Sequence, residues 1–149
     1  MEAASSLRVT AFNPQSPQEN TAIVRSMYAA FSSLAHGGGI DTYVDAYFDA
    51  DCEYQPVEEA STIRGREALI RWVERWLEAW DDAWDEIDEI VEAGGRVVAA
   101  IRAHGRGRRS GMEISQPLFD VFDLRDGRVL RIREYLEFDQ ALRAAGLPR

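Results

Sequence analysis

The 149-residue sequence has a single cysteine, no surplus of positive charge and no long apolar run, and each lack closes off a class of protein. Cys52 alone cannot form an internal disulfide, and without clustered His or Cys partners it provides no structural zinc site. The 17 basic residues face 26 acidic ones, a formal charge of −9. Such a surface opposes the counterion release behind nucleic-acid affinity and is repelled by anionic lipid, so nucleic acid and membranes are poor partners. No basic segment leads into an apolar stretch as in a secretory signal, and nothing approaches the roughly 20 apolar residues of a membrane-spanning helix. A cytoplasmic location is therefore expected. What remains is globular: 46% hydrophobic and 10% aromatic residues suffice for one core in a chain of this length.

Residues 1–15 show no sustained period and read as a loose leader, leaving residues 16–149 as a single domain. Ser16-Pro17-Gln18-Glu19 has the form of a capping box with proline at the first helical position. The stripe Ile23, Val24, Met27, Tyr28, Phe31 and Leu34 continues that helix until Gly37-Gly38-Gly39 stops it. A shorter helix is predicted over Asp41 to Phe48, and a short strand over Cys52 to Gln55. From Glu67 to Asp82 the apolar residues Leu69, Trp72, Val73, Trp76, Leu77 and Trp80 recur every three or four positions, with charges on the opposite face, which predicts an amphipathic helix. The period then changes to two. Strands are predicted at Ile87 to Val91, Val97 to Arg106, Met112 to Leu124 and Arg128 to Phe138, followed by a helix over Asp139 to Ala145 with Gly146 as its left-handed stop. Helices followed by a meander give an α+β fold with the helices packed on one face of an antiparallel sheet. A sheet curling around the tryptophan helix should leave a hollow.

A two-residue turn at Asp126-Gly127 would pair Leu124 with Val129, Val121 with Ile132, Asp120 with Arg133 and Phe119 with Glu134. Glu134 then stands in an apolar row with Leu130, Ile132, Leu136 and Phe138, and either finds a partner elsewhere or has its pKa raised by desolvation. This makes it a candidate acid or base, or else one half of a buried pair. Asp120, opposite an arginine, reads as structural. Tyr28 could donate into the hollow or pack in the core, and Trp72 and Trp76 could each show a ring face to a ligand. His104 reads as a solvated or interface residue, Cys52 as a small buried one, and Arg106, Arg108 and Arg109 as an exposed hairpin. Gly105, Gly107 and Gly111 do not lead a strand into a helix and so form no dinucleotide fingerprint. A sheet face carrying Val98, Ala100, Leu118, Phe122 and Tyr135 beside Arg102, His104, Asp120 and Arg133 suggests a homodimer.

Several local strings, in this order, resemble the SnoaL-like branch of the nuclear transport factor 2-like superfamily over about Asn20 to Leu147. They are the helix with Tyr28, Phe48-Asp49-Ala50-Asp51, Ile63-Arg64-Gly65-Arg66-Glu67, Arg106-Gly107, Ser110-Gly111, Leu124-Arg125-Asp126-Gly127-Arg128-Val129, Arg133-Glu134-Tyr135 and Ala141-Leu142-Arg143-Ala144-Ala145-Gly146-Leu147. The resemblance implies a curved sheet wrapped around a long helix as a conical pocket, dimerisation through the sheet, and relatives among ketosteroid isomerases, limonene epoxide hydrolases and polyketide cyclases. Tyr28 falls at the isomerases' oxyanion tyrosine, an enzyme whose mechanism serves as a general example of acid/base tuning. Their base position holds Pro56 and their protonated-aspartate position Phe119. Glu134 falls at the water-activating aspartate of the epoxide hydrolases and Tyr54 at their water-holding tyrosine. Their asparagine falls at Pro56, and their arginine and second aspartate near Ile101 and Ala103.

The resulting expectation is a pocket for a small, mostly apolar molecule, lined by Tyr28, Tyr54, Trp72, Trp76, Phe119, Ile132, Glu134 and Leu136. Glu134 and Tyr28 are its candidate catalytic residues, Glu134 exchanging the proton and Tyr28 polarising an oxygen, as in a cofactor-independent isomerase, cyclase or hydrolase. No metal or cofactor is implied. The alternative is a noncatalytic ligand carrier or dimeric interaction module.

Overall fold

The computed structural model describes residues 16–147; the leader expected over residues 1–15 lies outside the described residues. Ser16 opens helix α1 (Pro17–Leu34) with its Oγ accepting the Glu19 N–H at 3.1 Å, while the Ser16 hydroxyl reaches the Glu19 carboxylate at 3.2 Å. Helix α2 spans Ile40–Tyr47, and strand β1 follows directly over Phe48–Gln55, longer than the period alone suggests. After the two-residue strand β2 (Ile63–Arg64), helix α3 covers Arg66–Ala79. It stops three residues before the predicted Asp82. Trp80 takes extended backbone angles, and Arg108 from a distant hairpin donates to the carbonyls of Leu77, Glu78 and Trp80, satisfying groups that a further helical turn would have used. Strands β3 (Trp80–Ala93), β4 (Arg96–Gly107), β5 (Glu113–Arg125) and β6 (Arg128–Tyr135) form the meander, and helix α4 (Phe138–Ala144) ends before Gly146, which has a φ of 81°.

The sheet has six strands in the order β2-β1-β6-β5-β4-β3, curved and unclosed. All neighbours are antiparallel except β1 and β6, which run parallel, so the α1–α2 segment delivers β1 to the free side of β6. The main core lies between the inner face and the first three helices. Phe122 there is 0% exposed and meets Tyr28 edge-on, with ring centroids 5.7 Å apart. Burying one such side chain contributes about 1.5–3 kcal/mol. Cys52 belongs to this core as a small buried residue, and burial pushes its thiol pKa up.

The helices do not all share one face. Helix α4 packs Ala141 and Leu142 against Val98 and Val121 on the opposite side, where Phe119 stacks on Phe138 at 5.3 Å. Among the residues expected on an outer face, Leu118, Asp120 and Phe122 point inward and Val98 lies beneath α4.

One register shift decides these orientations. Leu124 pairs with Val129 as the hairpin turn predicts, but a bulge follows and Asp123 pairs with Arg131, leaving Leu130 as the extra residue. Every pair beyond it slips by one. Asp120 therefore stands opposite Glu134, Val121 opposite Arg133 and Phe119 opposite Tyr135. Because side chains alternate across the sheet, the slip reverses which β5 residues share a face with Glu134.

Candidate functional site

The curved sheet and the helices form a cavity of about 110 Å³ that is open on one side. Helical spacing builds one wall. Trp72 and Trp76 on α3 stack at 5.5 Å with an interplanar angle of 14°, and Trp80 extends the ladder at 5.4 Å from Trp76. Tyr54 of β1 meets Trp72 edge-on at 5.0 Å. At the end near the β4–β5 hairpin, the Trp80 ring lies over Gly105, where an added Cβ would come within 2.7 Å of the ring. Only glycine leaves that ring its place.

Three carboxyl groups converge on this largely aromatic space. Asp120 and Glu134 are cross-strand partners on the inner face, a placement that brings their Cβ atoms to about 5 Å and penalises two like charges. Asp85 joins them from β3, with its backbone N–H donating to Ser32 Oγ at 3.0 Å. The Tyr28 hydroxyl donates to Asp120 Oδ2 at 2.5 Å. Asp120 Oδ1 receives no N–H or hydroxyl from the described residues. The backbone N–H of Val57 donates to Glu134 Oε1 at 3.3 Å. That N–H is presented by a loop which Gln55 clamps: its side chain donates to the Glu59 carbonyl at 2.9 Å and accepts from Thr62 at 2.6 Å.

None of the described arginines lines the cavity, and the chain contains no lysine. Burial, then the neighbouring charge of Asp120, holds the Glu134 pKa well above the usual carboxylate range. Burial pushes Asp120 up to about 6, against the hydrogen bonds from Glu134 and Tyr28, which favour its anion. Asp85 is pushed up to about 7 by burial and then by the charge of Glu134. Tyr28 is raised by burial and by Asp120 beside it, and so keeps its proton. A proton held between Glu134 and Asp120 relieves their repulsion, and Tyr28 fixes the second carboxylate oxygen. The arrangement is a proton-holding chain that opens on an apolar space.

Tyr28, Tyr54, Trp72, Trp76, Ile132 and Glu134 all line the cavity. Phe119 and Leu136 do not. The bulge turns Phe119 to the α4 side, and β6 ends at Tyr135, leaving Leu136 56% exposed. The same slip replaces the expected Asp120–Arg133 pair with an inward carboxylate. The position assigned to Phe119 in the comparison with the isomerases consequently has an acid beside it on the inner face. Tyr28 directs its only hydroxyl hydrogen at Asp120, so it is a support for that carboxylate and not a free donor to a ligand. Asp85 was not singled out by sequence; its signal was the alternation Asp85, Ile87 within an acidic run that reads as solvated. His104 stacks on Trp84 at 5.0 Å, pairs with Glu86 at 2.7 Å, and reaches the cavity rim. Among the described residues no group of three or more His, Cys, Asp or Glu could hold a metal ion. None of their helices is long and apolar enough to cross a membrane.

Residues 24–132 match the SnoaL-like domain family. No curated protein matches the chain. Among solved structures, a protein of Jannaschia sp. CCS1, provisionally described as a SnoaL-like polyketide cyclase, superposes with a TM-score of 0.71 at 17% identity, covering 92% of this chain and 99% of that one. A protein of Catenulispora acidiphila DSM 44928 with a ketosteroid isomerase-like fold, solved with trimethylamine, gives 0.64 at 20% identity over 82% and 93% of the two chains. An NTF2-like protein of Burkholderia xenovorans LB400 gives 0.63 at 27% identity over 87% and 97%.

Proposed function

The chain belongs to the SnoaL-like domain family, and on that premise we propose that its cone takes a small, mostly apolar molecule on which Glu134 acts as general acid and base. The observation that carries this reading is the Glu134–Asp120 pair facing the cavity with no arginine among the described lining residues. A structural ion pair would have brought an arginine inward; here burial and a second carboxyl hold the Glu134 pKa well above the usual carboxylate range. Asp120 accepts or returns that proton across the strand pair, and Tyr28 holds Asp120 in place through its 2.5 Å hydrogen bond. Loss of the proton from a ligand C–H or O–H to Glu134, followed by its return at another atom, moves one hydrogen with no change of oxidation state and needs no cofactor. The size of the cavity favours a ligand of a few non-hydrogen atoms. The small amine in the Catenulispora neighbour is in keeping with an occupant of that scale.

Exchange of the α-hydrogens of cyclopentanone in deuterated water, followed by proton NMR, tests the reading. The expected result is acceleration over buffer that rises with pH as Glu134 ionises, and that disappears in Glu134→Gln. Acceleration that survives the substitution would refute the role of Glu134. Cyclopentanone binding without acceleration at any pH would favour a noncatalytic carrier.

A further inference from the structure

The cavity has acid on several sides, aromatic rings along one wall and, among the described residues, no arginine or lysine. Asp85 from β3, Asp120 from β5 and Glu134 from β6 face it, and Glu58 stands at its edge. The arginines that could have balanced these charges are engaged elsewhere: Arg96 and Arg131 hold Asp123, and Arg125 holds Asp49 and Asp51. The protein's own donors leave these acids under-served. No N–H or hydroxyl group reaches Oδ1 of Asp120, which is only 4% exposed, so the proton shared with Glu134 is all that serves it, and the Asp85 side chain receives no hydrogen bond or ion pair from the described residues. Carboxyl oxygens so placed in an aromatic enclosure are what a positively charged, weakly hydrated guest would complete.

We propose that the cavity binds a small organic ammonium ion, with Asp85 as its counter-ion and the Trp72, Trp76 and Trp80 wall against its alkyl groups. The inference rests on the cavity being a ligand site, as in the acid/base reading, and adds the charge of the ligand. Cation–π contact with indole favours such a guest, more so where water is excluded, and a cation of this kind matches the few-atom volume of the site.

Binding is linked to protons. The groups facing Asp85 are Glu134, Asp120, Tyr28 from α1, Tyr43 from α2 and Tyr54 from β1, with Glu58 and His104 further round the wall. The tyrosines stay neutral because burial raises all three. A cation favours the ionised carboxyl, so its arrival expels a proton. With Asp85 near 7, its ionised fraction climbs from about one-tenth at pH 6 to about nine-tenths at pH 8, and affinity should rise about tenfold over that interval.

The test is titration calorimetry of the full chain with tetramethylammonium chloride, at pH 6 and pH 8 and in two buffers of different ionisation enthalpy. Salt of about 0.3 M screens the diffuse attraction of the −9 surface. Tert-butanol serves as the uncharged analogue of similar shape. The expected result is binding about tenfold tighter at pH 8, with proton release and little or no affinity for tert-butanol. Asp85→Asn should abolish the pH dependence, while Trp76→Leu should weaken binding several-fold and keep it. Equal affinities at the two pH values, equal binding of tert-butanol, or no binding of tetramethylammonium would each overturn the proposal. Failure here with Glu134-dependent exchange of cyclopentanone intact leaves the acid/base reading standing. Cation binding without such exchange removes that reading and keeps this one.

Discussion

Replacing Asp85 with asparagine should stabilise the protein at pH 8 and change it by well under about 1 kcal/mol near pH 4. The carboxyl is pushed from an ordinary 3.8 to about 7 by burial and by Glu134. Each tenfold change in proton affinity is worth about 1.4 kcal/mol, so ionising Asp85 inside the fold costs up to about 4 kcal/mol. The sign follows from the direction of the change. Well below pH 3.8 the group is protonated in both folded and unfolded chains, and asparagine replaces a neutral acid with a neutral amide of the same shape. As pH climbs toward 7 the unfolded chain releases its proton more readily than the fold does, and the wild type loses stability that the variant keeps. Part of the cost is screened where the carboxyl meets the cavity, which sets the expected gain at about 2–4 kcal/mol at pH 8. For a domain of this size that is a rise in Tm of roughly 4–16 °C. The backbone N–H of Asp85 that bonds to Ser32 is untouched, so the fold has no reason to move. Urea titrations of both proteins at pH 4, 6 and 8 measure the effect. An asparagine variant no more stable than wild type at pH 8, or more stable by the same amount at every pH, would refute the claim that an unpaired buried acid is the cause.

Tyr28→Phe should cost about 1–3 kcal/mol at pH 7 in urea midpoint measurements, because Asp120 Oδ2 loses its donor and stays buried. It should also raise the Asp120 pKa further, readable as a carboxyl resonance titrating above about 6 by NMR. Gly105→Ala places a methyl group 2.7 Å from the Trp80 ring; destabilisation of about 1–3 kcal/mol with an altered near-ultraviolet circular dichroism spectrum is expected, and an unchanged spectrum would count against the packing described.

Local order was legible in the residues because it rests on short-range physics. The Ser16 capping box, the tryptophan ladder of α3, the Asp126-Gly127 turn and the Gly146 stop each arise from contacts within a few positions, and each stands where its own residues place it. Glu134 was identifiable as an acid in an apolar row, since alternation along one strand needs no partner to define it. Its neighbour was not. The bulge at Leu130 has no residue signature, and a one-residue slip exchanges every facing pair, so whether Phe119 or Asp120 shares the cavity with Glu134 was settled only when β5 and β6 paired. The early end of α3 was equally hidden, because Arg108, which satisfies the carbonyls there, arrives from about thirty residues away. Asp85 sits in an acidic stretch that reads as solvent-facing, and only the curl of β3 against α1 turns it inward beside Tyr28. The acid, the aromatic wall and the α+β class were thus local facts. Their meeting in one cavity, with no described arginine among its lining residues, is a property of the assembled sheet, since burial and the proximity of like charges exist only between segments far apart in the chain.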